Sequence, residues 1–206
     1  MKFLSRFAVL SSIGFACVSC TAIKVVTHST SADPIDAPAG EYHADPHHWS
    51  VSFDIDHLHY ARFVMRFDKM DASLDFHPED PAKSKVTAHI AAASLDTNVA
   101  ELDELVRGPD LLDSEKFPEI TFVSKVLRPT GKNTGEMEGD LTIHGVTQPV
   151  TLDVTFNGGA PNPLTSDHTL GFSATGHFSR AAFGLVHWYP AVGNEIRVRI
   201  EAEFES

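Results

Sequence analysis

GDLTIHGVTQPVTLDVTF, residues 139–156, decides the fold. Apolar side chains alternate on both sides of a break, Leu141 and Ile143 before it, then Val150, Leu152, Val154 and Phe156. A period of two marks strands with one dry face. The break at 145–149 makes the runs a hairpin. Pro149 is expected at the first residue of the second strand, where its missing N–H removes least from the ladder. An antiparallel pair of this kind must cover its apolar face with protein or with a bound molecule.

The same alternation recurs along the chain. It appears at Val51, Phe53 and Ile55, at Phe63, Met65 and Phe67, and at Leu74 and Phe76. It returns at Val86, Ala88, Ile90 and Ala92, at Ile120, Phe122, Ser124 and Val126, and at Leu170, Phe172, Ala174, Gly176 and Phe178. The last run is the strictest: Ile196, Val198, Ile200, Ala202 and Phe204 interleave with charged Glu195, Arg197, Arg199, Glu201 and Glu203. One interruption has a helical period, with Val99, Leu102, Leu105 and Val106 on one face. Asn98 and Glu101 suggest a capping box, and Gly108-Pro109 a stop, within a helical insertion at 98–115. The expected fold is therefore all-β, an extended antiparallel barrel of about eight strands. A closed sheet has no exposed edges, and about eight strands enclose either side chains or one slender ligand. Small residues at Ala88, Ala92, Ala174 and Gly176 fit both an open channel and a filled, tapering core.

Lys2 and Arg6 precede an apolar run, and residues 1–20 read as an export signal, which implies a periplasmic protein. Residues 21–40, rich in Ser, Thr, Asp, Ala and Pro, read as a flexible leader, and 41–206 as one barrel domain. Both cysteines, Cys17 and Cys20, fall at the end of the signal, so the mature domain has no disulfide and no thiolate. Small residues precede each cysteine, which makes Cys20 a candidate lipidation site and the leader a tether. Without residues 1–20, 14 basic residues face 28 acidic ones. That balance excludes nucleic acid as a partner and disfavours charge-driven membrane binding. Membrane attachment is expected only through the lipid anchor, and a homodimer is left open.

Twelve histidines invite a metal reading, since His57-Leu58-His59 would place two imidazoles on one strand face. Their spacing matches no specific zinc motif, so a histidine-based metal protein or enzyme is kept as the alternative. His57 extends the face of Phe53 and Ile55 to the end of its strand, which puts it at the barrel mouth. The segment GFSATG at 171–176 is no nucleophile elbow, because its second glycine falls one place late and it lies within a strand. Phosphate-cradling and dinucleotide fingerprints are absent.

Ordered motifs then carry a resemblance: WSVSF at 49–53 leading to His57, SLDTN at 94–98, FPEITF at 117–122 and GDLTIHGVTQPV at 139–150. With RAAFG at 180–184, the chain resembles, over 42–204, the YceI family of secreted, lipocalin-like polyisoprenoid-binding proteins. The resemblance implies a barrel around a long apolar channel for an isoprenoid chain, with no enzymatic activity and no cofactor beyond that lipid. It implies Phe53, Phe63, Met65, Ile90, Phe122, Ile143, Val154, Phe172 and Phe178 as wall residues, with His57 and Arg180 as headgroup contacts. Three positions depart from the family pattern. Leu102 and Leu105 stand where arginine and histidine are common, and Ala182 where aspartate is. Each loses a polar group, which favours an uncharged or shorter lipid over a pyrophosphate.

Overall fold

A computed structural model of the chain describes residues 23–165 and 167–206, so the segment read as an export signal, residues 1–20, and both cysteines lie outside the described residues. The strands are β1 (Gly40–His57), β2 (Ala61–Phe67), β3 (Met70–Phe76), β4 (Lys85–Ala91) and β5 (Leu95–Asp96). After helix α1 (Ala100–Arg107) come β6 (Glu119–Pro129), β7 (Thr134–Ile143), β8 (Val146–Pro161), β9 (His168–Ser179) and β10 (Val192–Glu205).

β7 and β8 are the hairpin of 139–156, with a tighter turn than the sequence suggests. Ile143 pairs with Val146, leaving only His144 and Gly145 between the strands. Both take positive φ, 53° and 74°, as in the two-residue turns whose twist suits a hairpin. Pro149 is consequently the fourth residue of β8, not the first, and lies opposite Asp140. β9 joins the other edge of β8 only from Leu152, opposite Gly176, so Pro149 sits where the strand is paired on one side and its missing N–H is tolerated.

Pairing runs unbroken from β3 through β4, β6, β7, β8 and β9 to β10, and β1 closes the ring by joining β10 to β3. This is a closed antiparallel barrel of eight strands. β1 follows β10 from His43↔Glu205 to His57↔Val192, with a bulge between Ala44 and Trp49. Before the bulge its other edge pairs with β3, and after it with β2. A bulge bends a strand and adds twist, and here it marks the point where β1 changes partners. The far edge of β2 carries only two pairs to β5, Arg66↔Asp96 and Phe67↔Leu95. Near His57 the wall is therefore completed by β5, α1 and the following turn, whose Val106, Leu111 and Leu112 pack into the core.

α1 does not use the expected capping box. Val99 is its N-cap, with no side-chain hydrogen bond, because Asn98 turns to φ 62° and gives its N–H to Asp96. Thr97, 1% exposed, anchors the helix instead. Its Oγ1–H and N–H both donate to Asp103 Oδ1, at 2.6 and 2.7 Å. These bonds, with Arg107 adding attraction, hold the Asp103 carboxyl below the usual carboxylate range.

Two apolar clusters fill the ends. Val51, Ile55, Met65, Leu95 and Ile143 belong to the one near His57, and Tyr42, Leu74, Leu170 and Phe204 to the one near Gly40. In the second, Phe76, Phe156, Phe172 and Phe204 stack or meet edge-on at centroid separations of 5.3–6.3 Å. Part of the expected leader lies against this end. Ser31 and Gly159 exchange backbone bonds of 3.1 and 2.9 Å, Asp33 pairs with Lys132 at 2.9 Å, and Ala37 is buried. Its polar composition gave no sign of this, since backbone pairing needs no apolar side chain.

Candidate functional site

The alternation that makes each strand also aims every second side chain inward, and between the two packed ends those side chains leave open space. They enclose a cavity of about 680 Å³, well within the range of small-molecule sites. Phe53 of β1, Phe63 and Met65 of β2, Ile90 of β4 and Phe122 of β6 line it. Ile143 of β7, Val154 of β8, and Phe172 and Phe178 of β9 complete the ring of candidates. The lining extends from Pro34, Pro81 and Asn133 near Gly40 to Leu58, Leu105 and Trp188 beyond His57, the whole length of the barrel. Among the described residues no aspartate or glutamate lines it.

Two of the four small residues make room. Ala88 and Ala174 line the cavity, whereas Ala92 and Gly176 do not. A Cβ on Gly176 would stand 2.6 Å from Leu152 Cδ2, so Leu152 already occupies that place. Ala92 lies past the end of β4, buried at the start of the turn Ala92–Ser94.

Polar groups line both ends: Ser84, Lys132, Asn133 and Thr134 near Gly40, and His57 and Arg180 together at the other end. His57, the last residue of β1, is exposed and reaches the cavity, with its ring 6.3 Å from that of Phe63. Arg180, 4% exposed, also lines the cavity. Its Nε donates to the Gly193 carbonyl at 2.7 Å, Nη2 to Val192 at 3.0 Å, and Nη1 to Leu185. No carboxylate among the described residues pairs with it, and burial pulls its pKa below the ordinary arginine value. An arginine carries five N–H groups; three brace the mouth, and two are not used by these bonds.

His57 and His59 do not share a face. β1 ends at His57, and Leu58 and His59 turn through φ 54° and 60°. His59 Nδ1 then pairs with Asp56 at 2.9 Å. The metal-capable side chains that do converge among the described residues are Asp45, His48 and Glu203 at the β1 bulge, where His48 Nδ1 already donates to Asp45 at 2.6 Å.

Of the departures from the family pattern, Leu102 and Leu105 line the cavity and Ala182 does not. Ala182 is exposed, and its carbonyl accepts from Gln148 Nε2 at 3.1 Å. Sequence reasoning missed the cover of the mouth, to which Leu111 and Leu112 contribute together with Leu185, His187, Trp188 and Ala191. These positions have no regular period. Their one signal is the apolar and aromatic run Leu185-Val186-His187-Trp188-Tyr189, too rich in such residues for an ordinary loop.

Comparison with known proteins agrees with this architecture. A model of the YceI-like domain matches residues 42–204. A UPF0312 protein of Pseudomonas savastanoi pv. phaseolicola is 37% identical over 151 residues, 72% of this chain and 78% of the relative. Burkholderia cenocepacia BcnA superposes with TM-score 0.71 at 26% identity, covering 78% of this chain and 98% of BcnA. A polyisoprenoid binding domain from Saccharophagus degradans, implicated in plant cell wall breakdown, has TM-score 0.60 at 12% identity, over 82% of this chain and 99% of that domain, and shares the fold. With its barrel, its motifs and a family match spanning most of its length, the chain belongs to the YceI-like domain family.

Proposed function

We propose that this protein is a non-catalytic periplasmic carrier that holds a polyisoprenoid, or a similar long apolar chain, inside its barrel. One observation carries the reading: an apolar cavity of about 680 Å³ that runs the length of the barrel with no carboxylate among the described residues of its wall. Removing a methylene from water is worth about 0.8 kcal/mol, so some ten of them offset a substantial cost of ordering the chain. The absence of a carboxylate or thiolate among the described lining residues favours holding over chemistry. His57 and the two spare N–H groups of Arg180 are suited to a neutral oxygen headgroup. Leu102 and Leu105, apolar on the nearby wall, favour such a headgroup over a pyrophosphate. Residues 1–20 would direct export, and Cys20 would carry the anchor in a lipidated form.

Protein recovered from the periplasmic fraction, gently solubilised and examined by native mass spectrometry, is expected to carry one lipid-sized adduct. After delipidation it should take up a prenyl alcohol from a mixture. Recovery only from the cytosol would remove the assigned location. Protein that emerges empty and takes up no prenyl lipid would sink the carrier function.

A further inference from the structure

At the His57 end, apolar side chains also face outward. Leu58 and Tyr60 in the turn after β1, Leu105 of α1, and Val186, Trp188 and Tyr189 before β10 are 40–88% exposed. Leu58, Leu105 and Trp188 line the cavity as well, so its apolar wall continues onto the outer surface. The turn and the segment before β10 form one rim, tied by the Leu58 N–H donating to the Ala191 carbonyl at 2.9 Å.

Backbone conformation provides a second, independent sign. Leu58 and Trp188 hold φ of 54° and 59°, the left-handed region that glycine or asparagine occupies more easily. Bulky apolar residues kept there, and left substantially exposed, serve neither backbone ease nor full burial; observed strain of this kind points to function. Charge is consistent with the same conclusion. The chain as a whole has a formal charge of -12, yet residues 185–192 include no acidic side chain. Asp56, the nearest acid of the turn, is paired with His59. Arg62 at the start of β2 is paired with Asp54 and lies near Glu195.

From these observations we infer that the rim docks on the surface of a zwitterionic bilayer, with Tyr60, Trp188 and Tyr189 seated at headgroup level and the mouth facing the acyl chains. Tryptophan and tyrosine settle at that level because one end of each is apolar and the other polar. The inference rests on the cavity being a lipid site. It supplies the route: an apolar chain passes from the bilayer to Leu58 and Leu105 without crossing water. It also differs from attachment by charge, which the acidic surface disfavours, and from attachment by an N-terminal anchor.

The test uses the chain lacking residues 1–20, so that no anchor contributes, with phosphatidylcholine vesicles. The protein has two tryptophans, and Trp49→Phe leaves Trp188 as reporter. Trp188 emission is expected to shift to the blue on adding vesicles, and protein with both tryptophans should co-float with them. Tyr60→Ser, Val186→Ser and Tyr189→Ser together change exposed positions outside the cavity lining. They should weaken vesicle partitioning by about tenfold or more, while uptake of a prenyl alcohol added without vesicles is unchanged. Absence of both blue shift and co-flotation would overturn docking, as would undiminished partitioning of the triple variant. A blue shift that follows protein concentration without lipid would overturn it in favour of a second copy on the rim. Failure to take up prenyl alcohol in a protein that still floats would remove the carrier reading and leave docking standing.

Discussion

Asp45 and His48, part of the one group of metal-capable side chains that converges among the described residues, also form a hydrogen bond of their own. In the bulge of β1, Asp45 accepts the His47 N–H at 2.8 Å through Oδ1 and the His48 Nδ1–H at 2.6 Å through Oδ2. That hydrogen bond raises the His48 pKa above its ordinary value, with Glu203 and Glu205 of β10 pushing the same way, and it lowers that of Asp45. The two signs bound a window. The histidine contribution is complete below the ordinary histidine value and is lost as pH rises through the raised one. The carboxylate contribution is present above the ordinary carboxylate value and is lost as pH falls through the lowered one. Because the His48 side chain is 63% exposed, the effect on stability should be small, and the direct observable is titration. An NMR titration should place the His48 midpoint above the ordinary value, and Asp45→Asn should bring most of that displacement back; a wild-type midpoint at the ordinary value would refute the Asp45–His48 hydrogen bond. Strand alternation made the place of His57 legible. The neighbouring His59 was not, because a period of two cannot show a chain leaving its strand through left-handed residues.

At the scale of elements, the hairpin in 139–156 was legible in type and uncertain in its turn. The apolar residues Leu141, Ile143, Val150 and Leu152 fixed two strands, but proline statistics pulled the expected start of β8 to Pro149, three residues late. The observed turn depends on Gly145, at φ 74°, where a Cβ would also stand 2.5 Å from the Phe117 ring. Gly145→Ala should therefore destabilise the protein by about 1–3 kcal/mol, from left-handed backbone cost plus crowding. Gly145→Asn separates the two terms, since asparagine tolerates that backbone but not the crowding. In chemical denaturation, Asn should recover only part of what Ala loses. Full recovery would mean that Phe117 yields freely, and no loss in either variant would mean that the turn is not the one described. The cap of α1 was misplaced for a related reason. Asn98 is a good N-cap by type, yet Asp96 captures its N–H while Thr97 and Asp103 form the anchor, a choice set by tertiary placement.

At the scale of the whole molecule, the inward side chains of the eight barrel strands were largely readable from their period, and all nine apolar candidates reach one cavity. The exception is the end of β6, where a bulge after Ser124 turns Val126 outward and brings Leu127 and Pro129 to the cavity instead, a change of face that a period of two cannot show. Whether that interior was open was not readable, because the same small residues suit a void or a tight fit. Ala174 and Gly176 resolve the matter locally, two residues apart on β9. At Gly176 a Cβ would meet Leu152 Cδ2 at 2.6 Å, whereas Ala174 borders open space in the cavity. Added volume should therefore act oppositely at the two sites. Gly176→Ala overpacks and should cost about 1–3 kcal/mol. Ala174→Leu, alone or with Ala88→Leu, adds methylenes into the channel, where they gain contacts instead of forcing neighbours apart. The melting temperature of the Leu variants should hold or rise, while the longest prenyl alcohol they retain becomes shorter than in the wild type. A fall in melting temperature like that of Gly176→Ala would show that the barrel interior is closed in solution. An unchanged chain-length limit with intact stability would place the lipid somewhere other than along β4 and β9. The two measurements are separable because one reads the free protein and the other its cargo, so narrowing the channel tests its emptiness and its use independently.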